Sequence, residues 1–270
     1  MPAQNLPGLV LDRAHPLSRG LVGWWPLNEG GGSGVADVTG TGKPSPITTA
    51  STDHKWIGGP RGGAAVLFSG QQAAAPVSNN LFQIGAGDYA LSIWVFTTAV
   101  GTLLAMSKFA GSGDDYWFGT SGASAVTMSI KGGTVTASVN IADGFWHHIA
   151  ATRLSGYVTI YVDGRARNAG TLATASSPTG SFLLGAFVAA GSYGWIGGMS
   201  SARYYNRVLD AREVAQLYAD PLAGALAPAR ARLYVAPAIS PPAAIAAPPT
   251  ADRLWNRGYV GRIFRRGEKG

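Results

Sequence analysis

A chain of 270 residues with a net charge of +7 and no cysteine is long enough to bury one sizeable core. Only 13% of the residues are charged, while 38 are glycine and 16 are proline. This balance excludes coiled coils and helical bundles, which are rich in Glu, Lys, Leu and Ala at helical spacing. The absence of cysteine excludes a disulfide framework, thiolate metal sites and thiol catalysis.

The first twenty residues carry prolines and charges and contain no apolar segment, so we expect no secretory signal peptide. No stretch approaches the roughly 20 apolar residues of a membrane-spanning helix, so we expect no membrane partner. We predict that residues 1–19 form an N-terminal arm.

From Gly20 to about Gly198, short alternating apolar runs are separated by clusters of Gly, Asn, Asp, Ser and Thr. This pattern predicts an all-β fold, either an antiparallel sandwich or a barrel. Tyr89–Thr98 gives the clearest strand. The runs Trp146–Thr152 and Tyr157–Val162 predict a hairpin, and Asp163-Gly164 predicts the next tight turn, because Asp-Gly favours positive φ angles.

One amphipathic helix is predicted from Asp210 to about Ala219, with Asp210 as N-cap and Glu213 three residues later. After it the composition changes. Residues 224–250 are mostly Ala and Pro and predict an extended linker. Residues 251–270 carry six basic and two acidic side chains, a net charge of +4, interleaved with aromatic residues.

This basic tail fits two kinds of partner. Clustered cations with aromatic residues can neutralise phosphates and stack on bases, and they can equally anchor to acidic groups and pockets of a partner protein. We favour the protein partner over nucleic acid. The predicted anchoring residues are Arg253, Trp255, Arg257, Tyr259, Arg262, Phe264, Arg265 and Arg266.

Five stretches in order resemble the laminin G-like domains of the concanavalin A-like jelly-roll superfamily. They are GLVGWWPLNEGGGSGVADVTGTG (Gly20–Gly42), AAVLFSGQQAAAPV (Ala64–Val77), YALSIWVFT (Tyr89–Thr97), GFWHHIAATRLSGYVTIYVDGR (Gly144–Arg165) and WIGGMSSARYYNRVLDAREVAQLYADP (Trp195–Pro221). The resemblance implies a two-sheet antiparallel jelly-roll over residues 20–223. It also implies loops or a face that bind carbohydrate or protein, with calcium at one rim in many members.

The resemblance places the candidate calcium ligands Glu29 and Asp37 in the opening loops. The closing strand departs from the family pattern, because Met199, Ser200 and Ser201 stand where relatives commonly carry an acidic pair. We therefore expect no cofactor, with calcium as the alternative.

The sequence does not favour catalysis. Sandwich hydrolases of this superfamily present Glu-x-Asp-x-x-Glu on one strand, and that spacing is absent here, as is a Gly-x-Ser-x-Gly elbow. His147 and His148 are adjacent on a strand and point to opposite faces, so they cannot bind one metal ion. We expect one of them to be buried and hydrogen-bonded.

Aromatic faces stack on sugar rings, which makes exposed aromatic residues the candidates for glycan binding. Tyr116, Trp117 and Tyr193 stand beside Gly and Asp in predicted loops and are the candidate recognition residues. Trp94, Trp146 and Trp195 lie in predicted strands and are assigned to the core.

The opening segment His15–Gly32 also looks like laminin G-like proteins encoded among tailed-bacteriophage structural genes. The leading hypothesis is a non-enzymatic virion protein, a capsid-decoration, head-fibre or tail-associated component. Its terminal arms would attach to other virion proteins, and its sandwich would cement the particle as a homo-oligomer or bind surface glycan. The alternative is a free-standing carbohydrate-binding module.

Overall fold

The computed structural model describes residues 9–32, 34–40, 45–49, 54–70, 72–77, 87–108, 116–122, 125–172, 182–186 and 193–226, with the backbone alone at 45–49 and 72–77. The chain divides into two units, Met1–Pro228 and Ala229–Gly270. All described residues belong to the first unit. The predicted linker beyond residue 226 and the predicted anchoring tail lie outside the described residues.

The described strands, in chain order, are β1 (Val10–Leu11), β2 (Leu21–Trp25), β3 (Gly34–Val35), β4 (Ser45–Thr49), β5 (Lys55–Gly58), β6 (Ala64–Ser69), β7 (Gln72–Val77), β8 (Tyr89–Phe96), β9 (Leu103–Lys108), β10 (Tyr116–Thr120), β11 (Val126–Ile130), β12 (Gly133–Ala137), β13 (Trp146–Leu154), β14 (Tyr157–Val162), β15 (Arg165–Thr171), β16 (Phe182–Leu184), β17 (Ile196–Tyr205) and β18 (Ala225–Leu226). The described residues contain one α-helix, α1, which spans Ala211–Ala219.

β1 and β18 form a small two-stranded sheet, and the other strands form two large antiparallel sheets. The first sheet has the order β15-β14-β13-β8-β17-β6-β5, with β2 paired to β17, and the second has the order β12-β11-β10-β9-β16-β7-β4-β3. The predicted all-β antiparallel jelly-roll sandwich with one short helix is confirmed. No helix in the described ranges is both long and apolar enough to cross a membrane.

The core lies between the two sheets and is built from alternate strand residues. On β8, Leu91, Ile93 and Val95 are fully buried and belong to the main core cluster, as their period of two predicts. Trp25 stacks on Phe182 of the second sheet at 5.4 Å between ring centroids. The core therefore joins both sheets through interdigitated side chains.

Two tight turns connect β13, β14 and β15 where the sequence predicts them. Ser155 and Gly156 have φ angles of 49° and 84°, and Asp163 and Gly164 have φ angles of 52° and 73°. Positive φ at both central residues fits the twist of a two-residue hairpin. The predicted hairpin and the predicted Asp-Gly turn are both present.

Helix α1 begins with the predicted capping box. The Asp210 carboxylate accepts hydrogen bonds from the backbone N–H groups of Arg212 and Glu213, each at 2.8 Å, and Glu213 accepts one from the Asp210 N–H at 3.0 Å. Val214 and Leu217 are buried on the outer side of the first sheet. The helix thus packs against that side of the sheet in a cluster that also contains Leu17 and Leu209.

The packed domain extends beyond the predicted boundaries at residues 20 and 223. β1 pairs with β18, Leu17 is 1% exposed, and the N–H of Asp12 donates to the carbonyl of Gly224 at 2.8 Å. Residues 9–19, predicted as an arm, therefore lie on the sandwich, and so do the first residues of the predicted linker. β1 and β18 have only two residues each and pair with a partner distant in sequence, so neither segment has a strand pattern of its own.

Candidate functional site

Two of the three predicted recognition residues meet on the outer side of the second sheet. Trp117 lies on β10 between Tyr116 and Phe118, which are both fully buried in the core, so its own half-buried side chain lies on the opposite side. Tyr193 is 60% exposed. The two rings line a cavity of about 260 Å³ together with Thr102 and Leu104.

The backbone holds Tyr193 beside this cavity. The N–H of Leu104 donates to the carbonyl of Tyr193 at 3.0 Å, and Leu104 and Gly194 form a parallel bridge. Tyr193 has a φ of 54°, a conformation that a tyrosine adopts only when its surroundings impose it. Tyr193 is thus tied to β9 and presents its ring next to Trp117.

A β-bulge shapes the same wall of the cavity. The register between β9 and β10 shifts between Phe118 and Gly119, so that Gly119 pairs with Leu104. A Cβ on Gly119 would lie 2.1 Å from the carbonyl oxygen of Leu103, which only glycine avoids. Bulges redirect side chains beside binding sites, and this one sets the position of Leu104 relative to Trp117.

Hydroxyl side chains continue this face across β11 and β12. Trp117 pairs with Ser129, Ser129 pairs with Thr134, and Thr127 pairs with Thr136, so these residues share one side of the sheet. The alternate residues of both strands are core residues: Val126, Met128, Ile130, Val135 and Ala137. We call the side formed by Trp117, Thr127, Ser129, Thr134 and Thr136 the hydroxyl face; Thr127 and Ser129 are buried, Trp117 and Thr136 are half-buried, and Thr134 is exposed.

Tyr116, predicted as an exposed recognition residue, does not contribute to this surface. It begins β10 rather than lying in a loop, its side chain is fully buried in the core, and burial raises the pKa of its hydroxyl well above the usual value. The segment Tyr116-Trp117-Phe118 is aromatic on both sides of the strand. Its sequence therefore does not indicate which residue faces the solvent.

The two candidate calcium ligands hold the opening loops through hydrogen bonds. The Asp37 carboxylate accepts from the Trp24 and Thr39 N–H groups, each at 3.0 Å, and Glu29 accepts from the Ala36 N–H at 2.8 Å. Burial raises the pKa of Glu29, which disfavours the charged form that a calcium ligand needs. Within the described ranges, no three His, Asp or Glu side chains are placed to hold a metal ion.

The adjacent histidines occupy opposite sides of the first sheet. His148 is fully buried beneath α1, and its Nε2 lies 2.8 Å from Ser92 Oγ. His147 lies between two carboxylates, with its Nδ1 2.8 Å from Asp163 and its Nε2 3.0 Å from Asp143. The expectation of one buried, hydrogen-bonded histidine is confirmed, and both residues have structural partners.

The three tryptophans that were predicted to lie in the core occupy three different environments. Trp195 is fully buried in the core, and Trp94 is 4% exposed and stacks on Tyr218 of α1. Trp146 is only half-buried, because it lies on the outer side of the first sheet beside Phe96. The prediction that Trp146 is a core residue is therefore wrong in part, because its side chain is only half-buried.

Sequence reasoning missed most residues of the hydroxyl face. The signal was present, since Thr127 and Ser129 alternate with core residues in the segment VTMSI, and Thr134 and Thr136 alternate in GTVTA. Leu104 gives no comparable signal, because its contact with Tyr193 depends on the bulge and on a segment about ninety residues away.

The two antiparallel sheets packed around one core define a jelly-roll sandwich domain. Residues 68–215, more than half of the chain, match the family described as the Concanavalin A-like lectin/glucanases superfamily. The chain belongs to this superfamily, as its resemblance to laminin G-like domains implied. A search of curated protein sequences finds no match.

Solved structures of similar fold include domains of bacterial proteins. Domain 4 of AbnA, a GH43 extracellular arabinanase from Geobacillus stearothermophilus, solved in complex with arabinotriose, has a TM-score of 0.55 and 22% identity over 73% of this chain and 98% of that chain. The binding domain of Paraclostridial Mosquitocidal Protein 1 has a TM-score of 0.59 and 13% identity over 75% of this chain and 52% of that chain.

A third structure concerns botulinum neurotoxin type C, whose cell entry is described as dependent on interaction with two ganglioside molecules. It has a TM-score of 0.54 and 10% identity over 78% of this chain and 53% of that chain. The present chain thus spans about half the length of the two toxin structures. Sequence identities of 10% to 22% show that these three structures share the fold of this chain.

Proposed function

We propose that this protein is a non-catalytic carbohydrate-binding domain that binds sugar at Trp117 and Tyr193. The observation that carries the proposal is the convergence of these two rings on one cavity beside the hydroxyl face. Flat aromatic rings stack on the apolar faces of sugars, and Ser and Thr hydroxyls donate and accept hydrogen bonds with sugar hydroxyls.

The size and lining of the cavity support binding of a sugar unit. At about 260 Å³, it is slightly smaller than the roughly 300–1,000 Å³ typical of small-molecule pockets. Its described lining is two aromatic rings, one aliphatic side chain and one hydroxyl. Glycoside hydrolysis needs two carboxylates across the scissile bond, and the described lining contains none. This composition favours recognition over catalysis.

Two of the structural neighbours support the same class of ligand. The AbnA domain was solved with arabinotriose, and the type C toxin is described with gangliosides. Both ligands contain saccharide, although they differ in chemistry. The likeness of fold therefore supports a glycan, while the choice of sugar depends on the residues of this chain.

Substituting Trp117→Ala is expected to lower glycan affinity by about thirtyfold, because loss of a central aromatic contact typically removes about 2 kcal/mol of binding energy. Tyr193→Ala is also expected to lower glycan affinity. Binding of the purified protein to a glycan array, followed by calorimetry on each glycan bound, measures the effect. Tyr157→Ala is the matched control, since Tyr157 is 53% exposed on β14 of the first sheet.

The domain should remain folded in all three variants, which thermal unfolding checks. Equal glycan affinity in the wild type and the Trp117→Ala variant would place the site elsewhere. If the array shows no glycan bound by the wild type, the proposed function is wrong.

The sequence supports a second proposal, that the basic aromatic tail anchors this domain to a larger particle as a virion component. This role rests on the net charge of +4 and the interleaved aromatic residues of 251–270, and on the resemblance to phage-encoded laminin G-like proteins.

Deleting 251–270 is expected to convert an oligomeric or aggregating full-length protein into a monomer without unfolding the sandwich, because the tail carries the proposed contacts. Size-exclusion chromatography with multi-angle light scattering compares the two chains, and circular dichroism checks the fold. If both are monomers of equal compactness, the tail is not an assembly segment.

A further inference from the structure

A second cavity lies on the outer side of the first sheet, at the carboxyl end of α1. It has a volume of about 160 Å³. Ser200 on β17 lines it and pairs with Trp94 on β8, whose ring stacks on Tyr218 of α1. The other described lining residues come from the segments 26–28, 60–64 and 219–222. This cavity and the Trp117–Tyr193 cavity therefore lie on different sheets, and the proposed glycan site does not use it.

The walls of this cavity are mostly apolar and are held in place by hydrogen bonds. The apolar lining residues are Pro26, Pro60, Ala64, Ala219, Pro221 and Leu222. The Pro221 carbonyl accepts from the Ser201 hydroxyl at 2.6 Å and from the Arg203 guanidinium at 2.8 Å. Ser200 Oγ lies 3.2 Å from the carbonyl oxygen of Pro26. The walls are thus fixed before a ligand binds, which lowers the cost of ordering them on binding.

Arg61 presents a fixed cation at the cavity. Its Nε donates to the carbonyl of Tyr218 at 3.2 Å, and its guanidinium carbon lies 5.3 Å from the Tyr218 ring centroid and 5.9 Å from that of Trp94. Its φ of 52° is one that a non-glycine residue adopts only when its surroundings impose it. Among the described residues, neither Nη atom of Arg61 has a hydrogen-bond partner. These two nitrogens form the fork that binds a carboxylate through paired hydrogen bonds.

Asp220 presents a fixed anion at the same cavity. As the C-cap of α1 it donates its N–H to the Gln216 carbonyl at 2.9 Å, and its Oδ1 accepts from the Leu222 N–H at 2.8 Å. Arg61 and Asp220 are the ionisable residues of the described lining, and no ion pair joins them there. Both charges are therefore available to a ligand.

Asn28 adds an unpaired donor to the lining. Its Nδ2 is buried and has no hydrogen-bond partner within the part of the chain that the structure describes. Buried polar atoms are nearly always hydrogen-bonded, either to the protein or to water or a ligand. A ligand carboxylate in this cavity supplies an acceptor for Asn28 as well as for Arg61.

The two opposite charges decide the class of ligand. A simple anion attracted by Arg61 would be repelled by Asp220, and a simple cation attracted by Asp220 would be repelled by Arg61. A molecule that carries both a carboxylate and an ammonium group satisfies both residues. The cavity is smaller than the roughly 300–1,000 Å³ of drug-sized pockets, and its walls are apolar. The remainder of the ligand is therefore small and apolar.

We propose that this cavity binds a free α-amino acid with a small aliphatic side chain, such as valine or proline. Arg61 binds the carboxylate with Asn28 as a second donor, and Asp220 binds the ammonium group. The aliphatic side chain packs against the proline and alanine residues of the walls. This activity goes beyond the proposed glycan binding and uses none of its residues.

Titration of the full-length protein with alanine, valine, leucine and proline tests the proposal, with ligand-observed NMR to detect binding and calorimetry to measure affinity. N-acetylvaline lacks the ammonium group and valinamide lacks the carboxylate. Each is expected to bind about tenfold more weakly than valine, because each loses one charged contact.

Arg61→Gln and Asp220→Asn are each expected to lower valine affinity about tenfold, as loss of one charge-assisted hydrogen bond does. Arg212→Gln and Asp88→Asn are the matched controls, since both residues are exposed and neither lines the cavity. Thermal unfolding checks the fold of each variant. Asp220→Asn keeps the oxygen that accepts from the Leu222 N–H, so it remains informative if loss of the Arg61 contacts destabilises the domain.

Three outcomes overturn the proposal. If none of the four amino acids binds at millimolar concentration, the polar atoms of the cavity are only hydrated. Equal affinity for valine and N-acetylvaline excludes a role for the ammonium group, and an unchanged valine affinity in the Asp220→Asn variant places binding elsewhere. Glycan binding is measured separately through Trp117 on the other sheet, so the proposed function stands or falls independently of these results.

Discussion

Replacing Gly197 with alanine is expected to lower the free energy of unfolding by at least about 3 kcal/mol, which is enough to prevent stable folding of a marginal domain. Gly197 lies in β17 with a φ of +135°, and a Cβ there would lie 1.9 Å from the carbonyl oxygen of Phe96. That carbonyl also accepts a hydrogen bond from the Trp195 side chain at 3.3 Å. The alanine would therefore separate two strands and break a core contact.

Alanine substitutions at two other glycines distinguish steric overlap from backbone strain as the cause of this loss of stability. Gly122 has a φ of +70° with no atom within 4 Å of a built Cβ, so Gly122→Ala measures backbone strain alone, about 1–2 kcal/mol. Gly119→Ala measures steric overlap alone, because its Cβ would lie 2.1 Å from the Leu103 carbonyl oxygen at an ordinary φ. Urea denaturation of the three variants gives the comparison. A Gly197→Ala variant as stable as Gly122→Ala would show that β8 and β17 do not approach this closely.

The second large predicted effect is a loss of stability at acid pH, caused by protonation of His148. Burial, with a smaller contribution from the nearby Arg203 guanidinium, lowers the pKa of His148 to about 3. In the unfolded chain the same histidine takes up a proton near its ordinary pKa of about 6.5. Its contribution to stability is therefore fully present above pH 6.5 and is lost as the pH falls toward 3, by an amount on the order of 4 kcal/mol.

Urea denaturation at a series of pH values is expected to show this loss in the wild type and a much flatter profile in a His148→Gln variant. The carboxylates of Asp143, Asp163 and Glu213 have lowered pKa values and add their own acid dependence, but they are present in both proteins. Equal slopes between pH 6.5 and 4 in the two proteins would contradict burial of a neutral His148.

His147 provides an internal control, because its contribution to stability depends on pH in the opposite direction. Its hydrogen bond to Asp163 and its second carboxylate partner Asp143 raise its pKa. The stability that this residue contributes is fully present below pH 6.5 and is lost as the pH rises through the raised value. His147→Gln should therefore alter the alkaline side of the profile, whereas His148→Gln alters the acid side.

The local elements of this fold are predictable from the sequence because their causes are local. The Asp-Gly turn needs only two residues that tolerate positive φ, and the α1 capping box needs only Asp210 and Glu213 three residues apart. The side of β8 that faces the main core, formed by Leu91, Ile93 and Val95, follows from alternation along the strand. Each of these features was predicted with nearly correct boundaries.

The site was less predictable because contacts distant in sequence create it. Trp117 was predicted as a recognition residue, but the side it occupies is decided by the burial of Tyr116 and Phe118. Tyr193 reaches the cavity through a backbone bridge to Leu104, and the wall it faces depends on a bulge at Gly119. Neither the bridge nor the bulge has a signature within its own segment.

The pairing of β1 with β18 places the residues that enter and leave the described domain on adjacent strands, with Val10 opposite Leu226. Paired antiparallel strands lie about 4.8 Å apart, so a host protein could carry this sandwich in one of its surface loops without separating the two ends of that loop. Joining the ends with a short linker should likewise permit new termini in the β13–β14 turn, at the exposed Ser155. The domain is thus geometrically suited to insertion and to circular permutation.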